Sequence, residues 1–251
     1  MAALSGQDLS NGLSTQLRRL AADMLAVCSD PGDVPHALDL LNASYATPAA
    51  AAARARLKGD PAIASLMRER YWGPWPSQDT LASLPPGSLG HVYGHLLADQ
   101  GLEPLPPPEF PPGADGDDIY LQRRIRASHD VWHAIAGCPT TVAGEAAMNG
   151  LTTEHLRWPG CALLLAADLL HRVHDGQTPG GPEVDVGLAI AYGLELGASA
   201  TSPLLAQRWE EGWERPLAAW REDLGLTALI ARNPFTTAVT AAALDQAGML
   251  R

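Results

Sequence analysis

The chain has 251 residues, of which 46% are hydrophobic and 18% charged, and its net charge is −11. That length supports one substantial core. The 28 acidic residues against 17 basic ones argue against nucleic acid as a partner and against simple electrostatic docking on anionic lipid. Alanine, the best helix former, supplies 42 residues, against 2 Phe and 5 Tyr, so the composition points to an all-α protein built as a single multi-helix domain over 1–251. Cys28, Cys138 and Cys161 are odd in number and form no CxxC, which predicts a reducing compartment. The first residues lack a charged region followed by an apolar run. The longest apolar run, Cys161 to Leu170, is too short to span a bilayer and contains Asp168. A cytoplasmic protein is the expectation.

Helix punctuation is frequent along the chain. Leu13, Leu17, Leu20, Met24 and Val27 form a helical stripe over 13–28. Asp33 caps a helix running to about Tyr45. Thr47-Pro48 and Asp60-Pro61 each pair a capping side chain with a proline suited to the first helical turn. Tyr71 to Pro76 is a break, and Ser88 to Gln100 is helical, closed by Gly101. Pro104 to Asp118 holds six prolines and reads as a loop. Asp117 or Asp118 then caps a helix from Ile119 to about Ala136, stopped by Gly137-Cys138-Pro139. Thr140 or Thr141 starts the next helix, which Pro159-Gly160 breaks or kinks before it resumes through His174. Asp175 to Pro182 is a loop, Asp185 to about Ala200 is helical, and helical segments follow Pro203, Pro216 and Pro234.

No phosphate-binding loop, dinucleotide fingerprint or GxSxG elbow is present. Cys138 beside His133 has nothing adjacent to lower its pKa, so it reads as a small helix-turn residue. The chemistry concentrates in His129-Asp130-Val131-Trp132-His133. Positions i and i+4 share a helix face, so the two imidazoles can reach one metal ion. Asp130 either ligates the ion or orients a ligated water; the alternative is an Arg126–Asp130 pair on a helix surface with incidental histidines. Glu145 lies twelve residues after His133, about 18 Å away on one straight helix. The break at Gly137 lets the second helix fold back, so Glu145 can face the histidines and complete a divalent-metal hairpin. His171 and His174 share a helix face as a pair near a helix end, His91 and His95 share one without an attached carboxylate, and Glu154-His155 is a candidate outer layer around the ion.

His129-Asp130-x-x-His133-x11-Glu145 resembles the HDxxHx11E motif of the coenzyme Q biosynthesis protein 4 family. Leu84-Pro85-Pro86-Gly87-Ser88-Leu89-Gly90 with Tyr93, Tyr120-Leu121-x-x-Arg124 and Gly137-Cys138-Pro139-Thr140 are similar to further family motifs. So are Trp213 to Leu217 and Arg221 to Gly225, and the likeness extends over about 20–226. The resemblance implies an all-α fold and makes His129, Asp130, His133 and Glu145 the ligands of a divalent ion, zinc above Fe, Mn or Co. Asp130 and Glu145 are then the candidate catalytic residues. It also implies an enzyme of ubiquinone or related prenylated aromatic biosynthesis. Such an enzyme acts at C1 of a prenylated hydroxybenzoate, where the carboxyl leaves and a hydroxyl enters. The implied partners are a prenylated aromatic small molecule, other ubiquinone-biosynthesis enzymes, the inner face of a membrane and a second copy of the chain. Competing readings are a lipid-binding scaffold for quinone precursors, a relative recruited to another pathway, and hydrolysis in the HExxH manner. His91, where many members carry Arg, and the Pro-rich loop depart from the family pattern. The apolar helix after the motif predicts a mostly apolar cavity beside the ion.

Overall fold

The computed structural model describes residues 6–100, 108–110, 112–175 and 184–236. The described residues contain no β-strand, only one isolated bridge between Ser88 and Pro216. The first six helices are α1 (Gly6–Ser29), α2 (Val34–Ser44), α3 (Pro48–Gly59), α4 (Pro61–Glu69), α5 (Gln78–Ala82) and α6 (Leu89–Gln100). They are followed by α7 (Gly116–Ala136), α8 (Val142–Leu156), α9 (Pro159–Asp175), α10 (Val186–Ser199), α11 (Leu217–Asp223) and α12 (Thr227–Ile230). The all-α expectation holds.

Most starts follow the capping chemistry in the sequence. Asp33, Thr47, Asp60 and Asp185 each accept a backbone N–H in the first turn of α2, α3, α4 and α10. Asp60 also closes α3, so one residue ends one helix and begins the next. Two expectations are corrected and one element is added. Asp115, not Asp117 or Asp118, caps α7, accepting from the amides of both. The short α5, capped by Ser77, occupies a stretch too brief to show periodicity. After Pro203 the chain makes only 3₁₀ turns at Leu204–Ala206 and Trp209–Glu211. Gly101, much of the Pro-rich loop, the loop after Asp175 and the end of the segment beyond Pro234 lie outside the described residues.

One core runs through the chain from Ala53 to Phe235, and a satellite of Val27, Leu40, Leu164 and Ala167 joins α1, α2 and α9. α8 and α10 touch backbone to backbone. A Cβ on Gly193 would lie 1.9 Å from the Ala147 carbonyl oxygen, and one on Gly197 would lie 2.7 Å from that of Leu151. The Gly193-x3-Gly197 spacing puts both on one face, so α8 is held along its length by a helix it can approach closely.

α7 is the most heavily anchored element. At its start Arg54 and Lys58 of α3 bind Asp118, and Arg70 binds Asp117. Near its middle Arg124 is fully buried and forms an ion pair with the equally buried Glu210, while also donating to the Gln207 carbonyl at 2.6 Å. At its end the last carbonyls, which have no partner within the helix, are all taken. Arg221 donates to Ala134 and Ile135 at 3.0 and 2.9 Å, Tyr192 to Ala136 at 2.8 Å, and Asn233 to Gly137 at 2.8 Å.

Candidate metal centre

His129 and His133 stand one turn apart on the last two turns of α7. Gly137 ends that helix at φ +67°, a left-handed conformation that glycine adopts without strain, and its N–H bonds the His133 carbonyl. The chain then reverses through Pro139 to Thr141, whose hydroxyl caps α8 by accepting from Gly144. Gly144 is required there. A Cβ would sit 1.8 Å from the Pro139 carbonyl oxygen. The tight reversal delivers Glu145, in the first turn of α8, to the two histidines.

The result is a compact donor set. The Nε2 atoms of His129 and His133 are 3.2 Å apart, and each lies 3.2 Å from an oxygen of Glu145. These three side chains are the one group of His, Cys, Asp and Glu among the described residues whose ligand atoms all lie within 4.8 Å of one another. His133 is 1% exposed, and its Nδ1–H donates to the Cys138 carbonyl at 3.2 Å. That bond fixes the tautomer and leaves the Nε2 lone pair aimed at the cluster, the outer-layer device common at metal-bound histidines.

The electrostatics agree with a cation between these groups. Burial alone pushes the Glu145 carboxyl up, but the two imidazoles outweigh it and hold it well below the usual carboxylate range. Burial pulls His129 down, and the Glu145 carboxylate more than offsets it, leaving the imidazole above its ordinary value. Two nitrogen lone pairs and a carboxylate at these separations repel unless a proton or a metal ion sits among them. The residues therefore fit a divalent ion held by His129, His133 and Glu145.

Asp130 stands outside this group. It is half-buried on the wall of the adjoining cavity, which Arg126 also lines. Its charge acts on Tyr93, whose phenol is pushed up first by burial and then by Asp130, and on Arg126, where burial lowers the pKa and Asp130 opposes it. His155 is no outer-layer residue: it accepts from the Leu204 amide and donates to the Gly197 carbonyl, both at 3.0 Å, and so ties α8 to α10. His91 bonds the Ala82 carbonyl and packs edge-on to His95, with ring centres 4.4 Å apart. Cys138 is buried, and that burial pushes its thiol far above its ordinary range, which disfavours the thiolate.

The cavity has a volume of about 300 Å³ and is lined mainly by apolar side chains, among them Val34, Leu38, Leu41 and Leu164, with His129 and Glu145 on its wall. The expected apolar space beside the histidines is present. The sequence alone did not disclose the part taken by α1 and α2, because Val27, Val34 and Leu38 look like any core stripe. No described helix is long and apolar enough to cross a membrane.

The profile of the family described as coenzyme Q (ubiquinone) biosynthesis protein Coq4 matches residues 38–229. The chain is similar to the ubiquinone biosynthesis protein COQ4 homolog, mitochondrial, of Bos taurus, 30% identical over 189 residues, 69% of this chain and 64% of that protein. It is 30% identical to the Homo sapiens homolog over 190 residues, 70% and 64% of the two chains. It is 31% identical to the Eremothecium gossypii protein over 149 residues, 59% and 44%. The chain thus spans 64% or less of these relatives' own lengths. Among solved structures, the crystal structure of a putative ubiquinone biosynthesis protein from Nostoc punctiforme aligns with a TM-score of 0.69 at 26% identity, covering 88% of this chain and 99% of that one. The cytoplasmic location expected above does not stand, because these curated relatives carry mitochondrial names.

Proposed function

The chain belongs to the coenzyme Q (ubiquinone) biosynthesis protein Coq4 family, and from that premise we propose that it is a metal-dependent enzyme of ubiquinone or related prenylated aromatic biosynthesis, acting at C1 of a prenylated hydroxybenzoate. The observation that carries this reading is the His129–His133–Glu145 donor set, whose His129 and Glu145 line a mainly apolar cavity. In it the C1–carboxyl bond breaks with release of CO2, a C1–oxygen bond forms, and two electrons leave the ring to an oxidant of the dioxygen class. A divalent ion supplies positive charge for a ring carboxylate or phenolate and stabilises negative charge that develops there. His129, His133 and Glu145 hold it, with the Cys138 carbonyl orienting His133. Asp130, on the cavity wall, is the candidate to accept or return a proton at the ring. The apolar wall excludes water and accommodates the prenyl tail.

The second reading, a scaffold that presents prenylated precursors to other biosynthetic enzymes, rests on the same apolar cavity. Elemental analysis of the untagged chain, followed by turnover of a prenylated hydroxybenzoate by stripped and by Zn-, Fe-, Mn- or Co-loaded protein, separates the two. An enzyme carries about one ion per chain and loses turnover on stripping. A scaffold binds the substrate with and without the ion and turns over neither way. Less than a tenth of an equivalent after reloading sinks the metal reading.

A further inference from the structure

Asp168 is the buried group on the cavity that the donor set does not use. It is 7% exposed, lies on the cavity wall, and takes part in no hydrogen bond or ion pair among the described residues. Its neighbours on α9, Leu164 and Ala167, pack with Val27 and Leu40, so an apolar side chain would suit the position better. A buried polar group without a partner weakens the fold and calls for an explanation. On the same wall, Gln122 Oε1 and Thr140 Oγ1 are buried with no hydrogen-bond partner. The cavity thus presents unmet hydrogen-bonding groups that no described residue bonds.

α9 contributes a row of side chains to the cavity wall. Cys161, Leu164 and Asp168 line the cavity in successive turns, and at 1.5 Å per residue Asp168 lies about 10 Å along the helix from Cys161. Burial, opposed by His171 and supported by Glu145, pushes the Asp168 carboxyl up to about 7, so it keeps its proton into the neutral range and can donate. A hydroxybenzoate ring carries oxygens at both ends of its long axis, roughly 7 Å apart, and spans about 12 Å once a hydrogen bond is added at each end.

We propose that Asp168 is the second polar anchor of the cavity, hydrogen-bonding an oxygen of the ligand at the end remote from the group held at His129, His133 and Glu145. The inference rests on the prenylated-aromatic reading above and adds which side chain of the cavity receives the ring oxygen that the donor set does not hold. The prenyl chain then runs beside the ring toward Val34 and Leu38, where Val34 is 53% exposed at the mouth.

Calorimetric binding to the Zn-loaded full chain tests it with two probes, 3-geranyl-4-hydroxybenzoate and 3-geranylbenzoate, which lacks the ring hydroxyl. The native protein prefers the hydroxylated probe by about tenfold or more, the effect of one well-made hydrogen bond. Asp168→Ala reduces that preference to within about twofold by weakening the hydroxylated probe alone. Asp168→Asn, whose amide still donates, keeps most of it. A tenfold preference surviving in Asp168→Ala overturns the role of Asp168 and leaves the cavity reading intact. Neither probe binding the native protein overturns that reading and this inference together. Ligand-free Asp168→Asn melts at least about 5 °C higher than the native protein at pH 8. A lower melting temperature, or failure to fold, overturns the proposal, because the carboxyl then supports the fold.

Discussion

Replacing Gly144 by alanine should open the donor set without touching a ligand. A Cβ at this position would lie 1.8 Å from the Pro139 carbonyl oxygen and 2.7 Å from its carbon, whereas real Cβ contacts do not fall below 3.0 Å. Backbone on one side of the turn must therefore retreat by at least about 1.2 Å, the difference between 3.0 and 1.8. Glu145 is the next residue, and metal sites tolerate only about 0.2 Å in their ligand distances. The helix-propensity gain of alanine over glycine, about 0.5–1 kcal/mol, is smaller than the overpacking cost of about 1–3 kcal/mol. We expect a net loss of stability together with a fall in zinc affinity of roughly 10–100-fold, the scale seen when groups that orient ligands are disturbed. Chelator competition and thermal melting on the same sample read both. Gly150→Ala is the control on the same helix: its Cβ would lie 3.0 Å from the Ile190 carbonyl oxygen, far from the donors, and zinc affinity should not change. Gly144→Ala with native zinc affinity refutes the claim that this turn positions Glu145.

The other expected outcomes concern charge and protons. Glu145→Ala keeps the fold and weakens metal binding, because its side chain is 43% exposed to the cavity, whereas His133→Ala loses more, since a buried ligand and its bond to the Cys138 carbonyl go together; circular dichroism with metal content reads both. Asp130→Asn leaves metal content unchanged but lowers turnover by on the order of 10²-fold, as removal of a proton-transfer group does; native turnover removes Asp130 from the chemistry. Stability should fall as pH rises from about 4 to about 7, because Asp168, with its carboxyl at about 7 in the fold against 3.8 ordinarily, holds a proton that the unfolded chain has released. Glu145 and His171 also act on it, and the slope should amount to at most about 4 kcal/mol and vanish in Asp168→Asn, measured by urea unfolding across that range.

What was legible in the sequence was mostly local chemistry. Asp33, Thr47, Asp60 and Asp185 announce helices because a cap needs only its own first turn. His129 and His133 are legible for the same reason, and Gly137 marks the reversal that brings Glu145 back. What the sequence hid depends on distant residues. Three aspartates stand at the head of α7, and Arg54, Lys58 and Arg70 engage all three from elsewhere, so the local sequence does not mark Asp115 as the cap. Lys58, the chain's sole lysine, looks like a trace of base composition until the fold sets it against Asp115 and Asp118. Asp130 is a different case: adjacency to His129 suggests a ligand, but successive helix positions are about 100° apart, and Asp130 stands outside the close group of His129, His133 and Glu145.

The same anchoring accounts for why motifs so far apart in the chain accompany one metal site. Gly87, Leu89 and Gly90 exchange backbone hydrogen bonds with Trp213, Arg215 and Leu217, and Tyr93 stacks on Trp213 with ring centres 5.8 Å apart. That clasp fixes the segment from which Glu210 meets Arg124 and Arg221 reaches the last carbonyls of α7. Tyr120 bonds the Tyr71 carbonyl at 2.9 Å near the other end. None of these residues is a hydrogen-bond partner of the donor set among the described residues. Each removes a freedom from the helix that carries two of its three ligands, so that Nε2 atoms 3.2 Å apart cannot relax away from one another. A donor set held in this way stays assembled at a cost in local stability and gains it back when a cation binds. Arg221→Ala should therefore lower metal affinity more than it lowers the stability of the metal-free chain, and an equal loss of both would make Arg221 an ordinary helix cap.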